Sequence, residues 1–232
     1  MPEIRGEHAL DNPVWSSLTA HHAHLAQGNE LALRYPAEFS PLGALPSAAP
    51  DNIDALHTLV EVGADIAVAG AHVPELSDSW ETLHKIRIAQ MIRRDTAPLP
   101  EGDAPICVLS ASDVGDMLAL VELTHPGPFR NRTVELGTFV GIRERGRLVA
   151  MAGERMWIGD HREVSGVCTH PEAEGRGFAR ALVAQVINRM LRAGQTPFLH
   201  VESGNERAIA MYLRLGFERR TELPLLYAKR LR

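Results

Sequence analysis

Two glycines that introduce a helical segment are the clearest candidates for chemistry in this sequence. In the run GVCTHPEAEGRGFARALV, a strand-like segment leads into a turn with Gly175 and Gly177, and apolar residues at helical spacing follow. Backbone N–H groups in the first turn of a helix lack partners within the helix, and the helix dipole adds partial positive charge there. Because glycine lets a bulky anion approach the backbone, this turn predicts a site for a phosphate or pyrophosphate group.

Two known phosphate motifs do not describe this turn. The P-loop requires Gly-Lys-Ser/Thr, which does not follow Gly177, and the dinucleotide-binding motif requires an earlier glycine at the start of the turn. An ordinary strand-to-helix connection is the alternative interpretation, since glycine pairs are common in such connections. The motifs around the turn favour the phosphate site.

Five segments in a fixed order carry a resemblance to a known family. They lie between Ile106 and the C-terminus, and they are GRLVAMAGERM, EVSGVCTHPE, GRGFARALV, PFLHV and NERAIAMYLRLGF. In this order they resemble the GCN5-related N-acetyltransferase (GNAT) superfamily, specifically its FR47-like branch. The resemblance implies an α/β fold with a mixed, mostly antiparallel central sheet and flanking helices. It also implies that acetyl-CoA is the co-substrate.

The family's nucleotide motif is Arg or Gln, two variable residues, Gly, one variable residue, and then Gly or Ala. Two registers fit, namely Glu174, Gly177 and Ala179, or Glu172, Gly175 and Gly177. Both registers put a carboxylate where the family has Arg or Gln. Since a carboxylate repels a phosphate, the resemblance implies binding mainly through backbone N–H groups, with positive charge nearby from Arg176 and Arg180.

The resemblance also assigns residues to the pantetheine arm of the co-substrate. The main chain of Val167 and Thr169 is expected to hydrogen-bond this arm as an added strand would. Gly166 is a candidate for a β-bulge that separates this strand from its neighbour, with close packing as the alternative. The residues expected to bind acetyl-CoA are Val167, Cys168, Thr169, Glu174, Gly175, Arg176, Gly177, Phe178, Ala179, Arg180, Asn205, Ala208 and Tyr212.

Attack of an amine on a thioester requires three catalytic functions: a donor to the carbonyl oxygen, a proton for the departing sulfur, and an acceptor for the amine proton. By the resemblance, Tyr212 protonates the thiolate and the backbone N–H of Val167 stabilises the oxygen. Strand alternation puts Glu163 on one face with Val167, so Glu163 is a candidate base that acts through a water. Glu154 and His161 are rival bases, and an amine that arrives neutral needs none.

The cysteines and a histidine cluster predict neither a covalent intermediate nor a metal. Cys107 and Cys168 are too few for a disulfide framework or a four-cysteine zinc site. Alternation turns the Cys168 side chain away from the predicted arm site, which favours direct transfer without an acyl-enzyme. His21, His22 and His24 lack the spacing of a helical zinc motif, so no metal is expected.

Composition limits the classes of partner. A net charge of -5 and a pI of about 6.1 argue against a dedicated nucleic-acid-binding protein, which usually carries a basic face. No run approaches the roughly 18 apolar residues of a membrane span, and the N-terminal MPEIRGEHALDN lacks the apolar region of a signal peptide. We therefore expect a cytoplasmic protein with no nucleic-acid or membrane partner.

Two stretches rich in proline and small residues, LGALPSAAPDN and DTAPLPEGDAP, divide the chain. The second predicts a linker at 96–105, between an N-terminal α/β domain at 1–95 and a GNAT catalytic domain at 106–232. The N-terminal domain has no chemical motif, and its pattern also permits a degenerate second copy of the GNAT fold. A role for it in binding a partner is a further alternative.

Hydrophobic periodicity and turn residues predict the elements of both domains. For the first domain they predict strands at 31–35, 65–70 and 83–93 and a helix at 53–62 that is capped by Asp51 or Asn52. For the second domain they predict strands at 106–109, 137–143, 147–155, 163–169, 197–202 and 225–229, and helices at 113–123, 177–193 and 206–215. Ser110 and Asp113 have the spacing of a capping box, and the loop at 124–133 is expected to be irregular.

The resemblance implies an N-acetyltransferase that moves an acetyl group directly onto a primary amine of a small molecule, an amino acid or a peptide. A sensor that binds acyl-CoA with weak or lost catalysis is the alternative, and Glu174 motivates it. The oligomeric state is left open, a homodimer included. The substrate loops of such folds vary, so the acceptor amine is not predicted.

Overall fold

Short apolar segments along the chain join into one sheet. The computed structural model describes residues 8–232, and in this part of the chain eleven strands form a single hydrogen-bonded sheet. In chain order the strands are β1 Gln27–Gly28, β2 Leu33–Arg34, β3 Leu42–Ala44, β4 Asp65–Ala69, β5 Trp80–Ile92, β6 Ile106–Leu109, β7 Phe139–Glu144, β8 Arg147–Ile158, β9 His161–Thr169, β10 Thr196–Glu202 and β11 Glu218–Arg230. Their order in space is β1-β2-β3-β4-β11-β5-β10-β9-β8-β7-β6. The pairs β3/β4 and β9/β10 are parallel and the other pairs are antiparallel, so the sheet is mixed and mostly antiparallel, as expected.

Five α-helices flank this sheet in residues 8–232. They are α1 Pro13–Leu18, α2 Pro50–Leu59, α3 Val114–Thr124, α4 Phe178–Arg192 and α5 Glu206–Arg214. The predicted capping box introduces α3, because Ser110 and Asp113 hydrogen-bond each other's backbone across the turn Ala111–Asp113. None of the described helices is both long enough and apolar enough to cross a membrane.

Helices cover both faces of the sheet around β9 and β10. α4 and α5 pack on the face that carries Val164 and Leu199. α1 packs on the opposite face against Phe198, and α3 packs there against Cys168. We call these the α4 face and the α1 face. Since successive strand residues point to opposite faces, Leu199 lies on the α4 face and His200 on the α1 face.

The sheet continues across the predicted linker at 96–105. β5, from the first part of the chain, lies between β10 and β11, and β11 in turn lies between β5 and β4. Hydrogen bonds tie the connecting segment to α4, among them those from the Leu99 N–H to Asn188 Oδ1 and from Asn188 Nδ2 to the Leu99 carbonyl, at 2.8 and 2.9 Å. The division into two domains stays a prediction about the organisation of the sequence.

Some elements have bounds that differ from the predicted ones, and other elements were not predicted. α2 begins at Pro50, three residues earlier than expected, and Ala49 occupies the cap position, because proline is well suited to the first helical turn. β11 begins at Glu218 and not at 225, because its pairing with β5 continues through polar residues. β3 lies inside the first proline-rich stretch, and α1 was not predicted. Residues 1–7, part of the N-terminal stretch examined for a signal peptide, lie outside the described residues.

Candidate active site

The two parallel strands β9 and β10 separate halfway along their length. They pair from His161 opposite Thr196 as far as Val164 opposite Leu199. Beyond this point β9 continues along β8, and β10 continues along β5. A gap therefore opens between the two strands from Ser165 and His200 onward, and its strand edges are available to a ligand.

A bulge in β9 marks the start of this gap. Gly153 is opposite Ser165 and Met151 is opposite Cys168, so β9 has one more residue than β8 in this interval. Gly166 has φ of +60°, and a Cβ there would lie 2.9 Å from Cε1 of Phe139. The predicted bulge is confirmed, and both the backbone conformation and the close approach of Phe139 require glycine.

The edge of β9 presents backbone groups to the gap. The N–H of His170 donates to the carbonyl of Val149 on β8, at 2.7 Å. Because N–H groups alternate along a strand, the N–H of Cys168 faces β8, and those of Val167 and Thr169 face the gap. The Oγ1 atom of Thr169 is buried and has no hydrogen-bond partner among residues 8–232. An unpaired edge and an unpaired hydroxyl fit the amide-rich pantetheine arm of acetyl-CoA.

The glycine turn leads from β9 into the N-terminus of α4. Gly175 and Gly177 have φ of +75° and +80°, and a Cβ at either position would meet nothing within 4 Å. α4 begins at Phe178, with Gly177 at the cap position and without a side-chain cap. The first N–H groups of this fifteen-residue helix are therefore open to an anion, as the sequence predicts.

The charged side chains around the turn are mostly paired with each other. Glu174 accepts a hydrogen bond from Nη1 of Arg207 at 2.6 Å, and Arg207 belongs to the first turn of α5. Arg176 forms two hydrogen bonds with Glu144, and its guanidinium carbon lies 4.5 Å from the centre of the Phe178 ring. Arg180 is exposed and makes no ion pair within residues 8–232. Only Arg180, of the two predicted cations, thus has no competing carboxylate.

A cavity of about 880 Å³ lies beside the same turn. It is lined by Glu144, Arg145, Arg147, Glu172, Ala173 and Arg176. Three of these side chains are cationic and two are anionic, and Arg147 is paired with Glu172 at 2.7 Å. The cavity offers space next to the α4 N-terminus for the nucleotide end of a ligand.

α5 brings Asn205, Ala208 and Tyr212 to the other side of the gap. Oδ1 of Asn205 accepts a hydrogen bond from the Ala208 N–H at 3.0 Å and so caps α5, which leaves the amide N–H groups of Asn205 for another partner. Tyr212 is buried on the α4 face, with its ring packed edge-on against Phe217. Burial raises the pKa of Tyr212 to about 12, so the phenol keeps its proton at neutral pH. No other group of the described chain hydrogen-bonds this phenol.

The carboxylate of Glu163 is fully engaged by its neighbours. Its two oxygens accept hydrogen bonds from Nε and Nη2 of Arg155, both at 2.8 Å, and Oε1 lies 2.8 Å from Nδ1 of His200. Burial alone would raise the pKa of Glu163, but the charge and hydrogen bonds of Arg155 and His200 bring it well below its usual range. Such a carboxylate holds its neighbours in place and is a poor proton acceptor, so the geometry argues against the predicted base.

The two rival bases also have partners and lie away from the gap. Glu154 is buried and lies 3.2 Å from both Arg162 and Arg189. His161 forms a 2.8 Å contact with Asp160 and stands opposite Thr196, at the end where β9 and β10 are still paired. Glu154 lies on β8 opposite Val164, so β9 lies between it and the gap, and His161 lies at the other end of the paired stretch.

Cys168 points into the core, as its position in the strand predicts. It is buried against α3 on the α1 face, and burial raises the pKa of its thiol to about 11 despite hydrogen bonds that favour the thiolate. A thiol in this state is a weak nucleophile at neutral pH.

The histidines near the N-terminus have separate roles in packing. His22 is buried with its Nδ1 2.8 Å from the phenol oxygen of Tyr35, and His21 stacks on Trp157 at 3.9 Å between ring centres. Within residues 8–232 no group of three or more His, Cys, Asp or Glu side chains is placed to hold a metal ion.

Sequence patterns missed several residues near the gap. Arg155, His200 and Arg207 lie inside the quoted segments but were given no role there, and Gln90 lies outside all five segments. Arg155 and His200 contact Glu163, Arg207 contacts Glu174, and Gln90 contacts His200. Only His200 had a local signal, because it is the polar residue in the apolar strand PFLHV.

Comparisons with known proteins agree on one family. The family model described as FR47-like protein matches residues 139–224. A crystal structure of a GNAT-family protein from Novosphingobium aromaticivorans is similar over 97% of this chain and 99% of that chain, with 34% sequence identity and a TM-score of 0.87. A GCN5-related N-acetyltransferase from Kribbella flavida shares the fold, with a TM-score of 0.63 and 15% identity over 94% of this chain and 95% of that chain.

A shorter similarity links part of this chain to a curated protein. The mycothiol acetyltransferase of Kocuria rhizophila is 43% identical over 58 residues, which are 25% of this chain. This chain spans 19% of the length of that relative. The similarity is therefore local.

Proposed function

Because the chain belongs to the GNAT family of acetyltransferases, we propose that it transfers the acetyl group of acetyl-CoA directly to a primary amine. The acceptor is a small molecule, an amino acid or a peptide. One observation carries this proposal: the gap between β9 and β10 leads to an open glycine turn at the N-terminus of α4. An extended thioester with a pyrophosphate at one end fits this combination of a strand edge and an anion site.

Backbone groups would hold most of the co-substrate. The N–H groups of Val167 and Thr169 face the gap and are placed to bond the pantetheine arm, and the orphaned hydroxyl of Thr169 gains a partner there. The N–H groups that follow Gly175 and Gly177 receive the pyrophosphate. Asn205 keeps its amide donors for the arm, and Arg180 adds positive charge at the first turn of α4.

The chemistry requires an acid on the side where sulfur leaves. In the proposed reaction the amine nitrogen forms a bond to the carbonyl carbon and the carbon–sulfur bond breaks. The N–H of Val167 stabilises the negative charge that develops on the carbonyl oxygen. Tyr212 donates its phenolic proton to the sulfur, and its raised pKa keeps that proton available at neutral pH.

Binding and turnover measured together test this function. Calorimetry with acetyl-CoA is expected to show binding, and thiol release over a panel of primary amines is expected to show turnover. The panel includes the acceptor of mycothiol acetyltransferase because of the 58-residue similarity to that enzyme. Binding without turnover on any amine would support the acyl-CoA sensor instead, an alternative that Glu174 motivates. Absence of binding would contradict both functions.

A cysteine variant distinguishes direct transfer from a covalent route. Cys168→Ala is expected to keep its turnover rate, because the thiol is buried on the α1 face and holds its proton at neutral pH. Complete loss of turnover, with an intact fold and intact acetyl-CoA binding, would contradict direct transfer.

The proposal also covers the cellular location of the enzyme and its partners. We propose a cytoplasmic enzyme without a nucleic-acid or membrane partner, on the basis of its charge and its lack of a long apolar run. The residues 106–232 supply the glycine turn, α4 and α5, and the residues 1–95 supply β5, which flanks β10.

A further inference from the structure

A row of polar side chains crosses the sheet at the point where β9 and β10 separate. It lies among the apolar residues of the α1 face and links five neighbouring strands and the segment before α1. We call it the transverse row, and its members are Arg155 on β8, Glu163 on β9, His200 on β10, Gln90 on β5, the Arg220 side chain on β11, and Asp11. No step of the reaction described above uses it.

Hydrogen bonds connect each member of the transverse row to the next. Arg155 binds Glu163 with two bonds of 2.8 Å, and Glu163 lies 2.8 Å from Nδ1 of His200. The Nε2 atoms of His200 and Gln90 are 3.0 Å apart. Arg220 donates to Oε1 of Gln90 at 2.8 Å and to Asp11 at 2.6 Å.

The row allows only one neutral form of His200. Ionised Glu163 can only accept, so Nδ1 of His200 must carry a hydrogen. The Gln90 amide nitrogen can only donate, and it gives one hydrogen to the carbonyl of Leu10 at 2.8 Å and directs the other to Nε2 of His200. Arg220 fixes this orientation of Gln90, because it donates to the amide oxygen. Nε2 of the neutral ring therefore carries no hydrogen of its own, and its lone pair accepts the hydrogen bond from Gln90.

The position of His200 in the fold also suits contact with a ligand in the gap. It is the first residue of β10 beyond the last pair with β9, so it borders the gap at its closed end. Its side chain lies on the α1 face, whereas Tyr212 lies on the α4 face. A thioester in the gap would have Tyr212 on one side and His200 on the other.

We propose that His200 accepts the proton that the attacking amine loses, and that Glu163 and Gln90 are positioning residues that hold its ring for this step. The inference rests on the proposed function, since it assigns the missing base of that reaction. It also makes the first part of the chain a contributor to catalysis, because Gln90 and the carbonyl of Leu10 come from it.

The proton balance of the step is complete. A neutral amine enters with an N–H directed at Nε2 of His200 and replaces the Gln90 donor there, so His200 exchanges one hydrogen-bond donor for another. As the C–N bond forms and the C–S bond breaks, the amine proton moves to Nε2 and the Tyr212 proton moves to sulfur. His200 then releases a proton to solvent and Tyr212 regains one, which leaves an amide and free CoA thiol.

The first experiment compares two histidines. His200→Gln is expected to lower kcat by about 100-fold, the usual contribution of a general base, and to leave acetyl-CoA binding unchanged. It is also expected to remove the rising limb of the pH profile of kcat/KM. His161→Gln is the matched control, because His161 is a histidine of β9 at the closed end of the strand pair, and it is expected to retain both the rate and the limb. Should His200→Gln fold poorly, His200→Asn is the second variant.

A change of charge within the transverse row gives a second test of the proposal. The ionised or ionisable groups of the row around His200 are Glu163, Arg155, Arg220 and Asp11. Gln90→Glu places a further carboxylate against Nε2 and is expected to move the rising limb to higher pH, because a carboxylate stabilises a protonated imidazole. A packing role for Gln90 alone would change stability without moving the limb.

Nuclear magnetic resonance tests the ring without any acceptor. Long-range proton–nitrogen spectra are expected to show the hydrogen of His200 on Nδ1, with the signals identified by their absence in His200→Gln. A hydrogen on Nε2 in the intact enzyme, or a pH profile unchanged in His200→Gln, would overturn the role of His200 while acetyl-CoA binding and turnover still supported the proposed function. Lack of turnover by the intact enzyme on every amine would overturn both.

Discussion

The carboxylate of Glu174 stands where the family pattern has Arg or Gln, and its partner Arg207 changes what that carboxylate does. The two side chains extend from opposite sides of the gap, one from the glycine turn and one from α5, and meet at 2.6 Å. Exposed ion pairs of this kind contribute little to stability. The pair matters more for the binding of a pyrophosphate, because Glu174 repels this anion and also holds the side chain of Arg207.

Glu174→Arg is therefore expected to tighten acetyl-CoA binding. It replaces a repulsive charge with an attractive one and releases Arg207, and a charge at a helix N-terminus is worth about 0.3–1 kcal/mol, or roughly two- to fivefold in affinity. Calorimetry at two salt concentrations measures the effect, which should shrink at high salt. Asp54→Arg, at an exposed position of α2, makes the same change in net charge and should leave affinity unchanged. Equal affinity of Glu174→Arg and the unaltered protein would contradict an anion site at this turn.

Gly177→Val is expected to abolish acetyl-CoA binding. Gly177 has φ of +80°, which a β-branched residue adopts only with strain, and the first N–H groups of α4 would move with it. Gly63→Val is a close control, because Gly63 has φ of +84° and equally open surroundings but lies far from the turn in sequence. Both variants should lose stability in thermal unfolding, and only Gly177→Val should lose binding in calorimetry. Normal binding by Gly177→Val would mean that the anion site has been assigned to the wrong turn.

At the scale of elements, the bulge in β9 determines where the gap opens. Gly166 both takes φ of +60° and leaves space for the ring of Phe139. A methyl group there would meet Phe139 at 2.9 Å, whereas at Gly159, with φ of +57°, it would meet nothing within 4 Å. An alanine at either position therefore has the same backbone strain, but only at position 166 does it also clash with Phe139.

Gly166→Ala is expected to destabilise the protein more than Gly159→Ala does, by about 1–3 kcal/mol, the usual cost of overpacking. Because relief of the clash would shift β9 next to Val167, turnover should also fall in Gly166→Ala alone. Chemical unfolding and thiol release measure the two effects. Equal stability of the two variants would show that Phe139 moves aside freely and that the bulge does not depend on it.

The sequence predicted those elements whose signals are local. The apolar spacing from Ala179 to Leu191 predicted α4, and Ser110 with Asp113 predicted the start of α3, because helical spacing and capping depend on near neighbours. β11 was predicted at less than half its length, because its first residues are polar and its pairing with β5 involves distant parts of the chain. α1 has only six residues, too few for a clear period.

The candidate site also contains residues with local sequence signals and residues whose placement depends on distant parts of the chain. Its glycine turn and β9 edge were predicted because motif and strand are contiguous from Gly166 to Arg180. The pairing of Glu163 with Arg155 and His200 could not be predicted, because it depends on the register of three strands and on which strand lies beside β10. For the same reason the sequence suggested Glu163 as a base, and the structure shows an occupied carboxylate.

At the scale of the whole molecule, one buried histidine links stability to pH. Burial, together with the nearby charge of Arg162, lowers the pKa of His22 to about 4. The folded state therefore binds this proton less readily than the unfolded state, whose value is near 6.5. The stability that neutral His22 allows is present above pH 6.5 and is lost as pH falls towards 4.

The free energy of unfolding is thus expected to fall by about 1.6 kcal/mol between pH 6.5 and 5 from His22 alone, from the linkage of folding to proton binding. Denaturant unfolding at several pH values measures it, in a range above the titration of the carboxylates. His22→Gln should be flatter over this range. Tyr35→Phe, which removes one hydrogen-bond partner of His22 but keeps the imidazole, should retain the slope. A slope in His22→Gln as steep as that of the unaltered protein would assign the effect to other groups.

The order of strands makes the two parts of the chain depend on each other. β11 lies between β4 and β5, and β5 lies between β11 and β10, so the predicted boundary at 96–105 separates strands that share their hydrogen bonds. A chain of residues 106–232 alone would leave one edge of β10 and both edges of β11 unpaired and would expose Phe198, which packs with Ile92 on the α1 face. Exposed strand edges favour aggregation.

We therefore expect the fragment 106–232 to be insoluble or to lack a cooperative unfolding transition, and the intact chain to unfold in one step. Expression of 106–232 together with 1–105 should restore a soluble complex, because the missing strand β5 then returns to its place between β10 and β11. Thermal unfolding followed by circular dichroism, with the oligomeric state from light scattering, makes the comparison. A folded, monomeric 106–232 fragment that binds acetyl-CoA would instead make the predicted catalytic domain an independent unit, and Gln90 could not then be required to hold His200.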